Sequence, residues 1–360
     1  MKVWLEPRRI TVSPWEIAVR IVCASILALV AGGLFLLWSG LDPLAGLSAL
    51  FRGSFGSGSA LFRSLNKAVP IGLCALGIAL ASRAKLTNVG AEGQFFFGAF
   101  AATGVGLSLP DATPTFLAIP AILIAGLIAG FLWASLAAIP RALLGMNEVL
   151  STLMLNYICL LWVSYLVRGP WADPLTYSFP YSPPILAAAQ LGPLARPLFG
   201  ALNSGFIVLI AATALVAAVD RWTRWGYELR VSGDAPRAAL YGGINPTAVI
   251  VSGLCFAGAL AGLAGAIEVS ASTGRLQMGL SPGYGFMGIL VAWLAGGRAL
   301  PILFVSIVYA GLLNGGFSLQ VSHIPSAIST ILQALILLFV LSAVTLSSYR
   351  IRFEGGARSS

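Results

Sequence analysis

Charge is scarce in this sequence: 9% of its 360 residues are Asp, Glu, Lys or Arg, while 58% are hydrophobic. With a mean hydropathy of +0.92, the chain has too little polar surface to cover a water-soluble fold, and it reads as a polytopic membrane protein. Histidine is nearly missing. His323, just before Ile324-Pro325, is the one in the chain, which removes histidine-cluster metal sites and leaves a single candidate for any Ser/His/Asp arrangement. Its place at a segment boundary favours an interfacial role over catalysis. The four cysteines, Cys23, Cys74, Cys159 and Cys255, sit inside apolar runs with no CxxC, so they read as small hydrophobes. No GxxxxGK[ST] occurs, and ATP chemistry is not expected in this chain. The first apolar run lacks an A-x-A site and reads as a retained span. No catalytic residue, cofactor or metal ligand is assigned.

Apolar length is what the chain has in abundance. Segments able to cross, or half cross, a bilayer occur at about ten places: Ile17 to Trp38, Ala68 to Ser82, Phe95 to Leu109, Thr115 to Leu136, Val149 to Val167, Pro197 to Val219, Ala248 to Ile267, Gly285 to Ala295, Pro301 to Leu319 and Ile328 to Val344. The net charge of +9 includes no basic run longer than Arg8-Arg9, so topology explains it better than nucleic-acid binding. With both termini in the cytosol, 14 of the 21 Lys and Arg fall inside and 6 outside, with Arg20 within the first span. The expected fold is all-α: a polytopic integral membrane protein of about ten transmembrane helices (roughly eight to twelve), N-in and C-in, with short or broken helices in each half. It forms one transmembrane domain over 1–360, with a cytosolic segment at 1–14, an external loop at 168–196, a cytosolic loop at 220–246 and a cytosolic tail at 347–360. The external loop, rich in Pro, Tyr and Trp, is long enough to form a partly ordered cap. Gly126/Gly130, Gly258/Gly262 and Gly311/Gly315 have the spacing that lets helix backbones approach closely.

Two segments are short for a crossing: Ala68 to Ser82 has 15 residues and Gly285 to Ala295 has 11, each bordered by glycine-containing polar sequence. Short, glycine-interrupted segments in corresponding halves are a pointer to a transport pathway, because broken helices offer backbone groups to a solute. Ordinary tilted spans are the bland alternative. Embedded acids are costly, so Glu92, Glu148 and Glu268 come first among candidate path residues. Glu92 lies with Asn88 and Gln94 in NVGAEGQ, where bracing a tight turn is favoured over lining a vestibule. Glu148, Thr152 and Asn156 form a stripe at four-residue spacing that suits hydrogen bonds to a polar solute or to a neighbouring helix. Glu268 ends an apolar helix and suits an entrance or a solvated terminus. Tyr284 and Phe286 suit stacking on a flat ring, though belt residues at a membrane boundary are commoner. Asn314 sits mid-span in GLLNGG.

The longest polar passage between apolar groups is Gly226 to Gly243, GYELRVSGDAPRAALYGG. It is built like a small exposed helix: Asp234 suits an N-cap, Pro236 the first turn, Ala238 to Tyr241 propagation, and Gly242-Gly243 termination. A capped helix on the wet side of a membrane protein suits either a partner or plain solubility. On the outer side, Arg52, Arg63, Arg168, Arg196 and Arg275 outnumber Asp42, Asp111 and Asp173, which suits docking of an acidic solute carrier.

These motifs together carry a resemblance. Asn88-Val-Gly-Ala-Glu-Gly-Gln94, Asn147-Glu-Val-Leu-Ser-Thr-Leu-Met-Leu-Asn-Tyr157, Gly226-Tyr-Glu-Leu-Arg-Val-Ser-Gly-Asp-Ala-Pro-Arg-Ala-Ala239 with Gly243-Ile-Asn245, and Ala257-Gly-Ala-Leu-Ala-Gly-Leu-Ala-Gly265 resemble the permease subunits of bacterial ABC importers. The branch is the one taking up ribose-like sugars, branched-chain amino acids and nucleosides, and especially its nucleoside and simple-sugar members. The likeness runs from about Leu61 to Val344; the first 60 residues match only in character. It implies a multi-pass protein of the bacterial inner membrane. Its partners would be a second permease, probably a different chain, a cytosolic ATPase that binds ATP and Mg, and an external solute-binding protein. Gly226, Glu228, Arg230, Gly233, Asp234, Pro236, Arg237, Ala238, Tyr241 and Gly243 would then belong to the coupling helix that seats in the ATPase. Val231-Ser232-Gly233-Asp234 stands where many relatives have an Ala-Val-Gly-Asn type of run, which bears on the contacts of Asp234. An ion-coupled secondary transporter is the rival reading.

Overall fold

The computed structural model describes residues 2–7, 14–176, 179–194, 202–321, 324–347 and 349–354, with side chains described from 26 to 342. His323 and Arg196 lie outside the described residues, as do 8–13, 197–201, 355–360 and the side chains of Arg20 and Cys23. Thirteen α-helices are present among the described residues: α1 Pro14–Trp38, α2 Pro43–Phe55, α3 Gly58–Arg83, α4 Ala91–Ser108, α5 Thr115–Leu144, α6 Glu148–Arg168, α7 Gly205–Trp222, α8 Arg224–Asp234, α9 Pro236–Tyr241, α10 Pro246–Glu268, α11 Tyr284–Leu294, α12 Ala299–Val321 and α13 Ser326–Ser347. The ten expected apolar segments correspond to α1, α3 to α7 and α10 to α13. Among the described residues six of these, α3, α5, α6, α7, α10 and α12, are long and apolar enough to cross a membrane. The protein is a multi-pass membrane protein whose apolar segments are all helical.

Three features differ from expectation. First, α2 has no counterpart among the apolar segments, because Ser48, Arg52 and Ser54 dilute its hydropathy. It forms because the Asp42 carboxylate accepts the Leu44 N–H at 2.8 Å and Pro43 opens the first turn. Second, the segment expected to be short at Ala68 to Ser82 belongs to a helix of 26 residues. Ser64, Asn66 and Lys67 lower the apolar score without breaking the backbone pattern. α11, with 11 residues, keeps the expected shortness. Third, β1 Lys2–Pro7 and β2 Tyr349–Glu354 pair antiparallel, with Lys2 opposite Glu354.

The chain divides into two compact units, one of residues 1–61 with 311–360 and one of residues 62–310. In the first, α1 packs on α2 and α13, and Leu36, Leu50, Leu319, Ile324 and Leu332 form a buried cluster. The Gly311/Gly315 pair serves α2: the Ser54 hydroxyl donates to the Gly311 carbonyl at 2.7 Å, and a Cβ on Gly315 would stand 2.5 Å from the Leu50 carbonyl oxygen.

In the second unit α10 lies against both α4 and α5, and the contact is backbone on backbone. Gly126 and Gly130 of α5 interlock with Gly258 and Gly262 of α10: a Cβ on Gly258 would lie 2.5 Å from the Gly130 carbonyl oxygen, and one on Gly262 would overlap the Gly126 carbonyl. Gly98 of α4 meets the same Gly262, and Gly265 meets the Phe95 carbonyl. Lipid tails compete with apolar side chains, so close approach of small residues is what holds such helices together. The described cysteines are packing residues, with Cys74, Cys159 and Cys255 all fully buried. Overpacking a seam of this kind costs about 1–3 kcal/mol or more. Gly262→Val therefore lowers the thermal midpoint of the detergent-purified chain by several degrees, whereas Gly279→Ala, in open space, leaves it unchanged; thermal unfolding of the two variants checks this.

Candidate functional site

The polar stretch from Gly226 to Gly243 is two helices, α8 and α9, with a sharp break between them. Thr223 caps α8 by accepting the Gly226 N–H at 3.1 Å. Ala235 leaves the helical region at φ −141°, ψ 72°, because a residue preceding proline is pushed toward extended backbone. Pro236 then opens α9, and Gly243, at φ +75°, ends it. Asp234 is thus the last residue of α8 and not an N-cap: the break forced by Pro236 falls at Ala235 and leaves Asp234 on the helical side. Its exposed carboxylate lies 3.9 Å from the Lys85 ammonium.

Burial within this pair is one-sided. Gly226, Leu229, Gly233 and Ala239 face inward. Gly233 abuts the Arg83 carbonyl and Gly226 the Val219 carbonyl so closely that a Cβ on either would overlap the oxygen. Facing out are Asp234, Pro236, Arg237, Ala238 and Leu240, and Tyr241 is 94% exposed. Glu228 is engaged by Arg224 at 3.1 Å.

The base of α8 is anchored by a residue the sequence reading passed over. Asp220, in the last turn of α7, gives one carboxylate oxygen to Arg83 at the end of α3, at 2.8 Å, and the other to Arg230 of α8, at 2.9 Å. Three helices meet on one carboxylate. The signal was present: an acid closing an apolar run in VAAVDRW, ten residues before an arginine. All three groups are partly buried, where charge-assisted bonds are stronger than at an open surface.

A second polar assembly brings together most of the expected path residues. Asn88 donates to the Gln94 side-chain oxygen at 2.9 Å and accepts the Gly90 N–H at 3.0 Å. Asn156 reaches across from α6, donating to the Val89 carbonyl at 2.9 Å and accepting the Gly93 N–H at 2.8 Å. Asn156 is thus a brace on the turn before α4. Thr152 returns its hydroxyl to the Glu148 carbonyl at 2.7 Å, and Glu148 pairs with Arg141 at 3.1 Å. Of the two readings of the Glu148–Thr152–Asn156 stripe, its observed hydrogen bonds are to protein groups.

The Glu92 carboxylate accepts the Gly285 N–H at 2.7 Å. Gly285 lies so close that a Cβ there would stand 2.6 Å from the Glu92 Cα. The two glycine-containing turns, NVGAEGQ and SPGYGF, therefore touch: the start of α4 and the start of α11 meet, and a carboxylate sits where both helix N-termini favour negative charge. Ser281 caps α11 by accepting the Tyr284 N–H at 2.8 Å, and Tyr284 is buried edge-on against Phe95 at 5.9 Å. Phe286 is 42% exposed. Glu268 ends α10 and leads into a π-helical turn, Val269–Thr273, with Ser272 and Lys67 near its carboxylate. Departures of this kind from α-helical winding are frequent at functional positions. Asn314 is buried in the other unit.

A family model described as "Branched-chain amino acid transport system / permease component" matches residues 60–341. The chain belongs to this family. Among curated relatives, it is 33% identical to the glucose ABC transporter permease protein TsgB13 of Haloferax volcanii, over 96% of this chain and 93% of that one. It is 33% identical to the guanosine ABC transporter permease protein NupP of Bacillus subtilis, over 92% and 94%. It is 29% identical to the nucleoside ABC transporter permease protein NupB of Lactococcus lactis, over 88% of each. No solved structure matches.

In this family member the expected docking arginines are in different situations. Arg52, Arg63 and Arg168 are exposed. Arg275 is engaged, 3.7 Å from the Asp173 carboxylate and over the Tyr181 ring at 5.7 Å. It helps tie down the described part of the 168–196 loop, where Ser182 and Leu276 exchange hydrogen bonds at 2.9 Å and the Ser270 hydroxyl donates to the Ala189 carbonyl at 2.7 Å. Removing the Asn156 brace orphans the Gly93 N–H and the Val89 carbonyl, at roughly 1–3 kcal/mol for each buried group. Asn156→Leu is expected to lower thermal stability in detergent by more than Thr330→Val, whose hydroxyl serves an exposed helix carbonyl; parallel melts measure the difference.

Proposed function

We propose that this chain is the membrane-spanning permease subunit of an ATP-driven ABC importer, that α8 and α9 are its seat on a cytosolic ATPase, and that its solute is a nucleoside or a simple sugar. The observation that carries the proposal is the contrast within α8–α9. Leu240 and Tyr241 project apolar and aromatic surface outward, while the root of the pair is held by the Asp220 carboxylate and by glycine contacts against α3 and α7. A surface helix kept only for solubility has no need of so rigid a root beneath so apolar a tip.

The choice of solute rests on the relatives, whose names specify guanosine, nucleoside and glucose. The family description names branched-chain amino acids, which makes leucine the alternative to test. An orientation with both termini inside agrees with the excess of cations in the pieces it makes cytosolic. The antiparallel pairing of β1 with β2 supports it too, since strands that hydrogen-bond to each other share one aqueous compartment.

In this reading ATP and Mg are held by the ATPase, and the permease supplies the moving parts. Closure of the ATPase displaces α8–α9 as a unit; Asp220 passes the displacement to α7 and, through Arg83, to α3. From α3 the contact continues to α11, where Gly288 lies against Cys74 and Ala75, and from α11 to Glu92 through Gly285. Motion of packed elements between discrete arrangements then opens the path to one side or the other. Asn88, Glu92, Gln94, Glu268, Tyr284 and Phe286 lie at or near that route, and an external solute-binding protein docks on outward cations such as Arg63 and Arg168. A second permease, most simply a different chain, completes the pathway.

Leu240→Glu with Tyr241→Glu leaves membrane insertion intact and removes the ATPase from the purified complex; affinity purification of the full complex followed by an ATPase assay checks it. In the wild-type complex with its binding protein, guanosine or glucose raises ATP hydrolysis severalfold. Stimulation by leucine alone would give the site to an amino acid. Uptake abolished by a protonophore and indifferent to ATP would point to an ion-coupled carrier and sink the proposal.

A further inference from the structure

A cavity of about 450 Å³ lies beside the Asp220 anchor, bounded by the ends of α3 and α7 and by the start of α12. Its apolar wall is Leu80, Val216, Ala217, Leu300 and Pro301, and its polar end holds Arg83, Asp220, Arg221 and Arg298. Both Asp220 oxygens are taken by Arg83 and Arg230, so the carboxylate has little left to offer the other two cations. Arg221 and Arg298 are exposed, and no carboxylate among the described residues pairs with either. The cavity is thus apolar at one end and carries surplus positive charge at the other.

Two aromatic side chains place this charge at a membrane boundary. Trp222, next to Arg221, is 79% exposed, and Trp293, in the last turn of α11, is 61% exposed. Exposed tryptophans at the ends of apolar helices mark the headgroup level. A ligand suited to the cavity must present acyl chain to the leucine and valine wall and a negative group to the guanidinium pair. Basic pockets between transmembrane helices on the cytoplasmic side take lipid headgroups for this reason. Arg suits the task better than Lys, since its planar fork matches phosphate oxygens two at a time.

We propose that the cavity between α3, α7 and α12 is a binding site for an anionic phospholipid, its phosphate held by Arg221 and Arg298 and its acyl chain lying along Val216 and Leu300. The site depends on the chain spanning a membrane and not on which solute it moves or which protein drives it. A lipid held there lies directly against the Asp220 anchor, so its occupancy stiffens the root of α8.

The test is native mass spectrometry of the purified full-length chain, exchanged into detergent with equal phosphatidylglycerol and phosphatidylcholine. The wild type retains phosphatidylglycerol in preference, on the order of tenfold, and Arg221→Gln with Arg298→Gln abolishes the preference. Arg221→Lys with Arg298→Lys keeps the charge and most of the preference, which separates loss of the site from loss of the fold. Millimolar inorganic phosphate leaves the bound lipid in place. Equal retention of the two lipids, or an unchanged preference in the Gln double variant, would overturn the proposal. Displacement by inorganic phosphate would make this a small-anion site, and loss of the lipid whenever the ATPase is bound would assign the arginines to that partner; either result contradicts the assignment.

Discussion

Backbone-to-backbone contact among α4, α5 and α10 is the constraint on which the larger unit depends. Gly262 alone is approached by Gly98, Gly126 and Gly130, and no residue with a side chain fits at that crossing without pushing the helices apart. In a bilayer, apolar side chains gain nothing by leaving lipid, so affinity between helices comes from van der Waals contact and polar bonds at short range. The glycine seam supplies the first. It also fixes α4 against α10, about one and a half helical turns from the turn that carries Asn88, Glu92 and Gln94.

Polar bonds supply the second, and they concentrate at interruptions of the helices. Asn156 satisfies the backbone of the turn before α4, and Glu92 satisfies the backbone at the start of α11. Non-helical backbone is tolerable at membrane depth only where protein groups or a water-lined cavity satisfy it. The residues proposed to line a path are the ones that hold these turns in register. A carboxylate joining the first turns of two helices is a contact that relative motion of α4 and α11 would have to break or carry along.

Most of the helices were legible in the sequence, because a crossing needs a length of apolar residues that composition alone reveals. The glycine pairs were legible as packing devices, and the structure shows which pair meets which. What escaped were features decided by single side chains or by tertiary partners. α2 escaped because its polar residues lower the apolar score, although Asp42-Pro43 is a sound start signal. α3 is longer than its apolar run because Ser64, Asn66 and Lys67 interrupt hydropathy without interrupting the helix. Asp234 lies one element away from the N-cap its residue type suits, because Pro236 forces the break onto Ala235. Asp220 was missed because its meaning lies in two arginines, Arg83 and Arg230, of which the first is 137 residues away. That NVGAEGQ and SPGYGF touch is not derivable from spacing; their glycine-interrupted character points to a pathway and not to a contact between them.

Coupling to an ATPase requires that α8 and α9 face the cytosol and are gripped there. The most direct measurement is labelling of Tyr241→Cys with a membrane-impermeant maleimide, in intact cells and in inside-out vesicles, with and without the ATPase subunit. With Cys23 replaced by Ser, the buried native thiols at Cys74, Cys159 and Cys255 give little background. The account predicts labelling in inside-out vesicles alone, and protection when the ATPase is present. Labelling from the outside of intact cells, or equal labelling with and without the ATPase, would contradict it.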